Sequence, residues 1–590
     1  MRAAELLEKN DAALVSLCLR EAGKTRANAI AEVREAVDFC RYYASQALAC
    51  PPAVVPGGPV VCISPWNFPL AIFVGQVAAA LAAGHPVLAK PAKQTPLVAA
   101  LAVRLFHEAG ISRAALQLLP GPGGVVGQTL IADQRIAGVV FTGSTEVAQG
   151  INRHIASSDR DVALIAETGG VNAMIVDSSA HLEQVVQDVM SSAFDSAGQR
   201  CSALRILCVQ EDVFTRLLQM LKRAMRELKI GNPGHLDVDV GPVIDEEARN
   251  RLQAHVADFA ARQKLYFKMQ LPEECGHGSF VAPAILEIDR PGEVKEEVFG
   301  PLLHVLRFER QDLGELIEEI NALGYGLTFG VQSRIEETID FAVARIRAGN
   351  LYVNRNMIGA VVGVQPFGGE GQSGTGPKAG GPLYLRRLVG CADGVLDDGR
   401  DLQGSGKVPE SLVRLSEWSL RTGRTRLSHA CSEYRACSLF GRTLELPGPT
   451  GEANRLSFEP RGLVWCKAGS EDDLFEQFAA IFATGNTPLV SSGALEKAAL
   501  AKLPRALSDA VVVESHPWQR SDLSCVLFRG PAEERCLLRQ QLAAREGAIL
   551  PLVGPLPGGA YPLFRLVKER TISINTASAG GDPSLMMLGG

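Results

Sequence analysis

Two hydrophobic periods alternate along residues 54–180. The short β-branched runs "GPVVCIS", "HPVLAKP", "LQLLPG" and "IAGVVFTGS" predict buried strands. Between them, "AIFVGQVAAALAAG", "PLVAALAVRLFHEAG" and "GVVGQTLIAD" predict helices. Strand–helix alternation of this kind means a parallel sheet with crossover helices, an α/β architecture. Residues 181–360 continue in the same manner and include the amphipathic helix "EDVFTRLLQMLKRAMRELKI". The segment "ADGVLDDGRDLQGSGKVPE" (392–410) has no period and reads as a linker.

The unit beyond that linker repeats the first one weakly. Pro56, Gly58, Val60 and Cys62 recur as Pro460, Gly462, Val464 and Cys466. Gln76, Ala78, Ala79, Ala82 and Gly84 recur as Gln477, Ala479, Ala480, Ala483 and Gly485, with three residues lost in between. Either this is a structural copy that has lost its chemistry, since "SPWNFP" has become "AGSEDD", or two Ala-rich βα units match by chance.

Composition narrows the class. The chain has 590 residues, 46% hydrophobic and 21% charged, with net charge −6. That describes a soluble globular protein of several domains and argues against a nucleic-acid surface. "PLAIFVGQVAAALAAG" is too short and Ala-rich to span a bilayer, and "MRAAELLEKNDAALVSL" reads as an amphipathic helix rather than a signal. The 13 cysteines show no CxxC pair and no metal-ligand spacing, which points to a reducing cytoplasm.

Four clusters carry candidate chemistry. In "CISPWNFP" a Pro-framed turn fixes Asn67, whose carboxamide is a neutral donor for a developing oxyanion. "VVFTGSTEVAQG" runs from a strand through Gly143 and Ser144 into a helix, a junction that suits a pyrophosphate but is common in α/β proteins. In "LIAETGG", Glu167 follows an apolar strand; it is a general base if burial raises its pKa, or else a turn cap. In "SAGQRCSALR", Cys201 sits in a turn beside Arg200, and a cation with turn N–H groups favours the thiolate.

The set is more specific than its members. "PWNFP", "KPAKQTP", "FTGSTEVA", "ETGG", "GQRC", "EEVFGP" and "PFGG" occur in the order seen in the aldehyde dehydrogenase superfamily, with Glu167 preceding Cys201 by 34 residues. "SAFDSAGQRCSALR", "GNLYVNRNMIGAVVGVQPFGGEGQSGTGPKAGGPLYL" and the closing "RTISINTASAGGDPSLMMLGG" resemble the aldehyde dehydrogenase half and tail of bacterial bifunctional proline-catabolic enzymes. This resemblance implies a Rossmann-like NAD-binding domain (1–166, incomplete at its start) and an α/β catalytic domain (167–363). An anchor loop and oligomerisation flap (364–391), the linker (392–410) and a degenerate Rossmann-like C-terminal domain (411–590) would follow.

The implied reaction is NAD-dependent oxidation of L-glutamate γ-semialdehyde, which equilibrates with pyrroline-5-carboxylate, to L-glutamate. By resemblance, Cys201 attacks the aldehyde, the Asn67 amide and the Cys201 N–H hold the oxyanion, and Glu167 activates the hydrolytic water. Ser64, Trp66, Lys90, Gly143, Ser144, Glu297 and Phe299 would contact the cofactor. Ser373, Gly374 and Thr375 would grip the substrate carboxylate, with Arg200 and Ser202 flanking the nucleophile. Glu35 would face the ammonium end or be a solvated charge, and Phe68 and Phe194 would flank the aldehyde chain or belong to the core.

Two departures stand out. Lys93 replaces the Glu that in this family accepts from the adenosine ribose, which predicts a weaker preference for NAD and usable NADP. The chain also starts inside what looks like a family helix, "RAAELLEKN". No FAD chemistry is therefore expected, and a proline dehydrogenase domain or chain is the expected partner. A homo-oligomer is compatible with the sequence. Two competing readings are a dehydrogenase of another semialdehyde and an inactive scaffold; intact Cys201, Glu167 and Asn67 favour the enzyme.

Overall fold

A computed structural model describes residues 1–49, 57–158, 160, 162–389, 402–403 and 408–577. Most of the linker expected at 392–410, and the tail beyond residue 577, lie outside the described residues. Within them no helix is long and apolar enough to cross a membrane.

The apolar runs of the first 170 residues become five parallel strands: β1 (Val60–Ile63), β2 (Val87–Lys90), β3 (Leu116–Leu118), β4 (Gly138–Thr142) and β5 (Ala163–Glu167). Their order is β3-β2-β1-β4-β5. β1 is continuously apolar because helices cover both faces of a doubly wound sheet. The strand order reverses between β1 and β4, the place where such sheets leave a crevice outside their strand ends. Register brings Ile63 level with Lys90 and Phe141, and Thr142 level with Glu167. Ser64, Lys90, Gly143 and Glu167 therefore lie along one edge.

A second sheet of eleven strands follows. Ala173–Val176, Ile206–Gln210, Leu302–Phe308, Thr328–Gln332 and Asn350–Val353 run parallel at its centre. Beyond Asn350–Val353 the next strand is Val567–Asn575, parallel to it, followed by Glu452–Pro460 in antiparallel register. Chain from the expected C-terminal unit thus extends the sheet that carries the centre of the molecule.

The third sheet holds β6 (Leu463–Lys467), β7 (Thr487–Ser491), β8 (Val512–Glu514), β9 (Leu523–Phe528) and β10 (Leu552–Val553). Its order, β8-β7-β6-β9-β10, is that of the first sheet. The matched glutamines do the same work in both: Gln76 Nε2 donates to Ile63 O (3.3 Å) and Gln477 Nε2 to Lys467 O (3.2 Å), each closing a strand end. The sequence repeat is a structural one. The lost residues fall in the connection that carries Asn67 in the first copy. Where Gly143 follows β4, Arg529 follows β9, and its guanidinium fills that strand end with ion pairs to Asp473 (2.8 Å) and Glu476 (2.9 Å).

Candidate active site

The thiol is delivered by a turn in unusual backbone. After helix Leu182–Phe194, Ser196, Ala197 and Gly198 all take left-handed conformations, with φ of 55°, 55° and 65°. A Cβ at Gly198 would stand 2.2 Å from the Gly300 carbonyl oxygen, so only glycine fits. The reversal sets Gln199 against the Pro-framed turn, and Asn67 Nδ2 donates to Gln199 O at 3.2 Å. Two side chains that sequence reasoning missed hold the turn from below. Asn172 Nδ2 donates to Cys201 O (2.7 Å) and Ala203 O (2.9 Å). The fully buried Arg205 donates to Gly198 O (2.7 Å) and Arg200 O (2.9 Å) and pairs with Glu297 (2.9 Å). The available signal was polarity out of place: an Asn and an Arg opening otherwise apolar strands.

Cys201 is half-buried, and its thiol is pushed up to about 12 by burial first, then by Glu297 and Glu167. Arg200 and the Ser202 N–H pull the other way and are outweighed. Arg200 thus favours the thiolate, as expected, but too weakly to offset burial. Its guanidinium is drawn off by Asp195 (2.7 Å) and by the Asn28 carboxamide oxygen, and stacks over Phe68 at 5.3 Å.

Glu167 ends β5 in a dry pocket. Burial pushes its carboxyl up to about 8, while the Gly369 N–H, bonded to Oε2 at 2.9 Å, and the Lys378 cation hold it down. Of the expected anion grip, Ser373 and Thr375 have their N–H groups bonded to Glu370 O and Ala166 O. Their backbone pairs with β5: Thr168 N donates to Ser373 O and Thr375 N to Ala166 O, both at 2.9 Å. Ser373 is fully buried, its hydroxyl accepting from Gly326 N at 3.0 Å. A Cβ at Gly374 would lie 2.8 Å from the Glu167 carboxylate, so glycine here admits the base. The glycine-rich composition serves close packing against Glu167. Among the described residues, the N–H groups of Gly359 (φ 75°, open space beside it) and Ala360, in the loop after strand Asn350–Val353, have no partner.

The other predicted residues divide along the two sheets. Ser64 N donates to Lys90 O (3.2 Å), and the buried Ser64 hydroxyl has no partner. Lys90 donates to Pro91 O (2.9 Å), and Lys93 is exposed. Ser144 caps helix Thr145–Ala156, while the Gly143 N–H is spent on Glu167 O (3.1 Å). Trp66 meets Phe299 edge-on at 5.4 Å. Glu297 is committed to Arg205. Phe68 lies between Lys24 (4.5 Å) and Arg200, whereas Phe194 is core, packed with Met174, Tyr352 and Met357. Ser202 is buried, its carbonyl accepting from the Thr328 hydroxyl at 3.2 Å. Glu35 is half-buried, its carboxyl pushed up to about 8 by burial and Glu32 against the pull of Arg200 and Lys24.

The arrangement brings a thiol, an amide donor and a carboxyl together between two sheets. The chain is 50% identical to the bifunctional protein PutA of Klebsiella aerogenes over 98% of its own length, spanning 46% of that protein. A 1-pyrroline-5-carboxylate dehydrogenase from Thermus, solved with bound NAD, superposes with a TM-score of 0.62 at 35% identity, covering 66% of this chain and 78% of that one. Proline utilization A from Corynebacterium freiburgense superposes over 98% of this chain and 56% of that one, with a TM-score of 0.78 at 27% identity. The profile of the aldehyde dehydrogenase family matches residues 1–391, which takes in every side chain named around this crevice. The chain belongs to the aldehyde dehydrogenase family.

Proposed function

We propose that the chain oxidises L-glutamate γ-semialdehyde, the open form of pyrroline-5-carboxylate, to L-glutamate with NAD. The observation that carries the reading is the meeting of Cys201, the Asn67 amide and the buried Glu167 where the ends of β1 and β5 face the left-handed turn. The relatives named for pyrroline-5-carboxylate and NAD support the choice of substrate and cofactor. The orphaned Ser64 hydroxyl at the sheet edge fits a ribose or phosphate oxygen.

In this mechanism Cys201 gives its proton to solvent water as its sulfur adds to the aldehyde carbon, and the new oxyanion accepts from Asn67 Nδ2 and the Cys201 N–H. Bound NAD supplies the hydride acceptor. The resulting thioester on Cys201 is then attacked by water, whose proton goes to Glu167, releasing glutamate and restoring the thiol. The ammonium end of the substrate meets Glu35. The Gly359, Ala360 and Gly374 N–H groups suit its carboxylate. Supply from proline oxidation by another domain or chain, in the cytoplasm, completes the proposal.

The test is turnover of pyrroline-5-carboxylate by the purified chain, with NAD and NADP in separate assays. Turnover with NAD that disappears in Cys201→Ala is expected, and the exposed Lys93 should keep kcat/KM for NADP within about a hundredfold. Folded protein without turnover would overturn the proposal; an NADP penalty far above a hundredfold would remove the role given to Lys93.

A further inference from the structure

The proposed reaction makes no use of strand Val567–Asn575, yet this strand runs behind the loop that holds Glu167. It is bonded into the site at two places. Thr571 donates its N–H to Gly349 O and its hydroxyl to Pro366 O, both at 2.8 Å. Glu569 Oε2 accepts from the Lys378 N–H at 2.8 Å. Lys378 then spends its three ammonium protons on Gly349 O (2.7 Å), Asn350 Oδ1 (2.6 Å) and Gly368 O (3.0 Å). Asn350 Oδ1 also accepts from Gly368 N (3.2 Å). The next N–H along, that of Gly369, holds the Glu167 carboxylate. A continuous path of bonded groups thus joins a residue near the C-terminal end of the described chain to the proposed base.

A cavity of about 1320 Å³ borders the loop, and its wall includes Gly369, Gly374, Lys378 and Glu569. On their other side the glycines pack closely, a Cβ at Gly369 falling 2.5 Å from Ser373 and one at Gly374 2.8 Å from Glu167, so the hydrogen bonds set which way this tightly packed backbone faces. Glu569 is suited to that: it is buried, with one oxygen on Lys378 and the other without a partner.

We propose that Glu569 is a positioning residue for Glu167, fixing through Lys378 the Gly368–Gly369 segment whose N–H aims the carboxylate. The proposal rests on reading Glu167 as the general base. The electrostatics agree with it. Burial raises Glu569 and lowers Lys378, and each holds the other toward its charged form, with Arg461 also facing Glu569 and Glu370 and Arg570 facing Lys378. Without Glu569, the Lys378 N–H would be left buried and unpaired.

Deacylation and acylation respond differently to this device, which gives the test. The full chain is mixed with pyrroline-5-carboxylate and NAD, and reduced nicotinamide is followed through the first turnover and into steady state. In Glu569→Ala the first turnover should remain near one equivalent per chain while steady-state kcat falls tenfold or more. Glu569→Gln, whose amide oxygen can still accept from Lys378 N, should recover most of the rate. Steady-state turnover in Glu569→Ala within twofold of the unsubstituted chain would overturn the proposal. So would parallel loss of both phases, or equal damage in the two variants. Glu167→Gln separates the premise: if it turns over normally, the base assignment fails, whereas a first turnover without steady state in Glu167→Gln leaves Glu569 alone on trial.

Discussion

As the proposed base, Glu167 must ionise where burial opposes it. Only its ionised form can take a proton from water, and its carboxyl is raised to about 8. The sign follows: kcat should rise with pH through about 8 and fall about tenfold per unit below it while hydrolysis limits turnover. The groups facing Glu167 are the Gly369 N–H and the Lys378 cation, which hold the carboxyl down, and Glu569, which pushes it up. Lys378→Met removes the cation and should move the limb to higher pH. A pH profile of kcat in both proteins checks this; a limb at the ordinary carboxylate value, unmoved by the substitution, would contradict it. Glu167, Cys201 and Asn67 were legible in the sequence because each has the chemistry its task needs. Arg205 and Asn172 were not, because they bond to backbone carbonyls, and no residue pattern records which carbonyl a side chain will find. At Ser373–Thr375 the glycine-rich run shows that backbone can come close, not which of its N–H groups are already paired: those of Ser373 and Thr375 are bonded to Glu370 O and Ala166 O.

The turn Ser196–Gly198 is the element on which the site depends. Three successive left-handed residues cost roughly 1–3 kcal/mol for each that is not glycine, and the structure must repay this through the bonds from Arg205 and Gln199. Gln199 donates to Ser196 O (3.3 Å) and Pro242 O (3.2 Å) and accepts from Ile244 N (2.9 Å), so the turn is tied on several sides. Gly198→Ala places a methyl 2.2 Å from Gly300 O, on rigid backbone that cannot step aside. We expect it to lower stability by about 1–3 kcal/mol. It should also cut kcat/KM by more than that loss explains at temperatures where the variant stays folded, because Cys201 moves away from Asn67. Urea unfolding beside kinetics decides this, and a stable variant with unchanged kcat/KM would show that the turn geometry is dispensable. The strands and helices themselves were readable from hydrophobic period, and the repeat of β1 and its helix in β6 was visible residue by residue. The strained turn was not, since "DSAGQRC" contains one glycine where the backbone needs three left-handed residues.

At the scale of the molecule, sequence order suggested that everything after residue 410 forms one unit, but the sheets divide it. The third sheet is a local affair, built from neighbouring βα units, and its repeat pattern announced it. The hairpin-like pairing of Glu452–Pro460 with Val567–Asn575 joins segments more than a hundred residues apart, and alternation cannot say which distant strand a strand will choose. That pairing has a thermodynamic consequence. Val567–Asn575 is bonded on one edge to Asn350–Val353 and on the other to Glu452–Pro460, so the central strands cannot lose it without opening a buried sheet edge. Separate units joined by a linker would unfold in separate steps, whereas units sharing a sheet should unfold together. The tryptophans allow the comparison: Trp66 lies at the crevice, while Trp418, Trp465 and Trp518 all belong to the C-terminal region. In Trp66→Phe, fluorescence reports the C-terminal region alone and residual turnover reports the crevice. We expect their urea midpoints to coincide. Leu456→Ala, which opens a cavity at a fully buried position on the shared strands, should shift both together by the equivalent of about 2–5 kcal/mol. Two midpoints, or a shift confined to fluorescence, would mean that the long sheet is divided energetically where it is continuous in space.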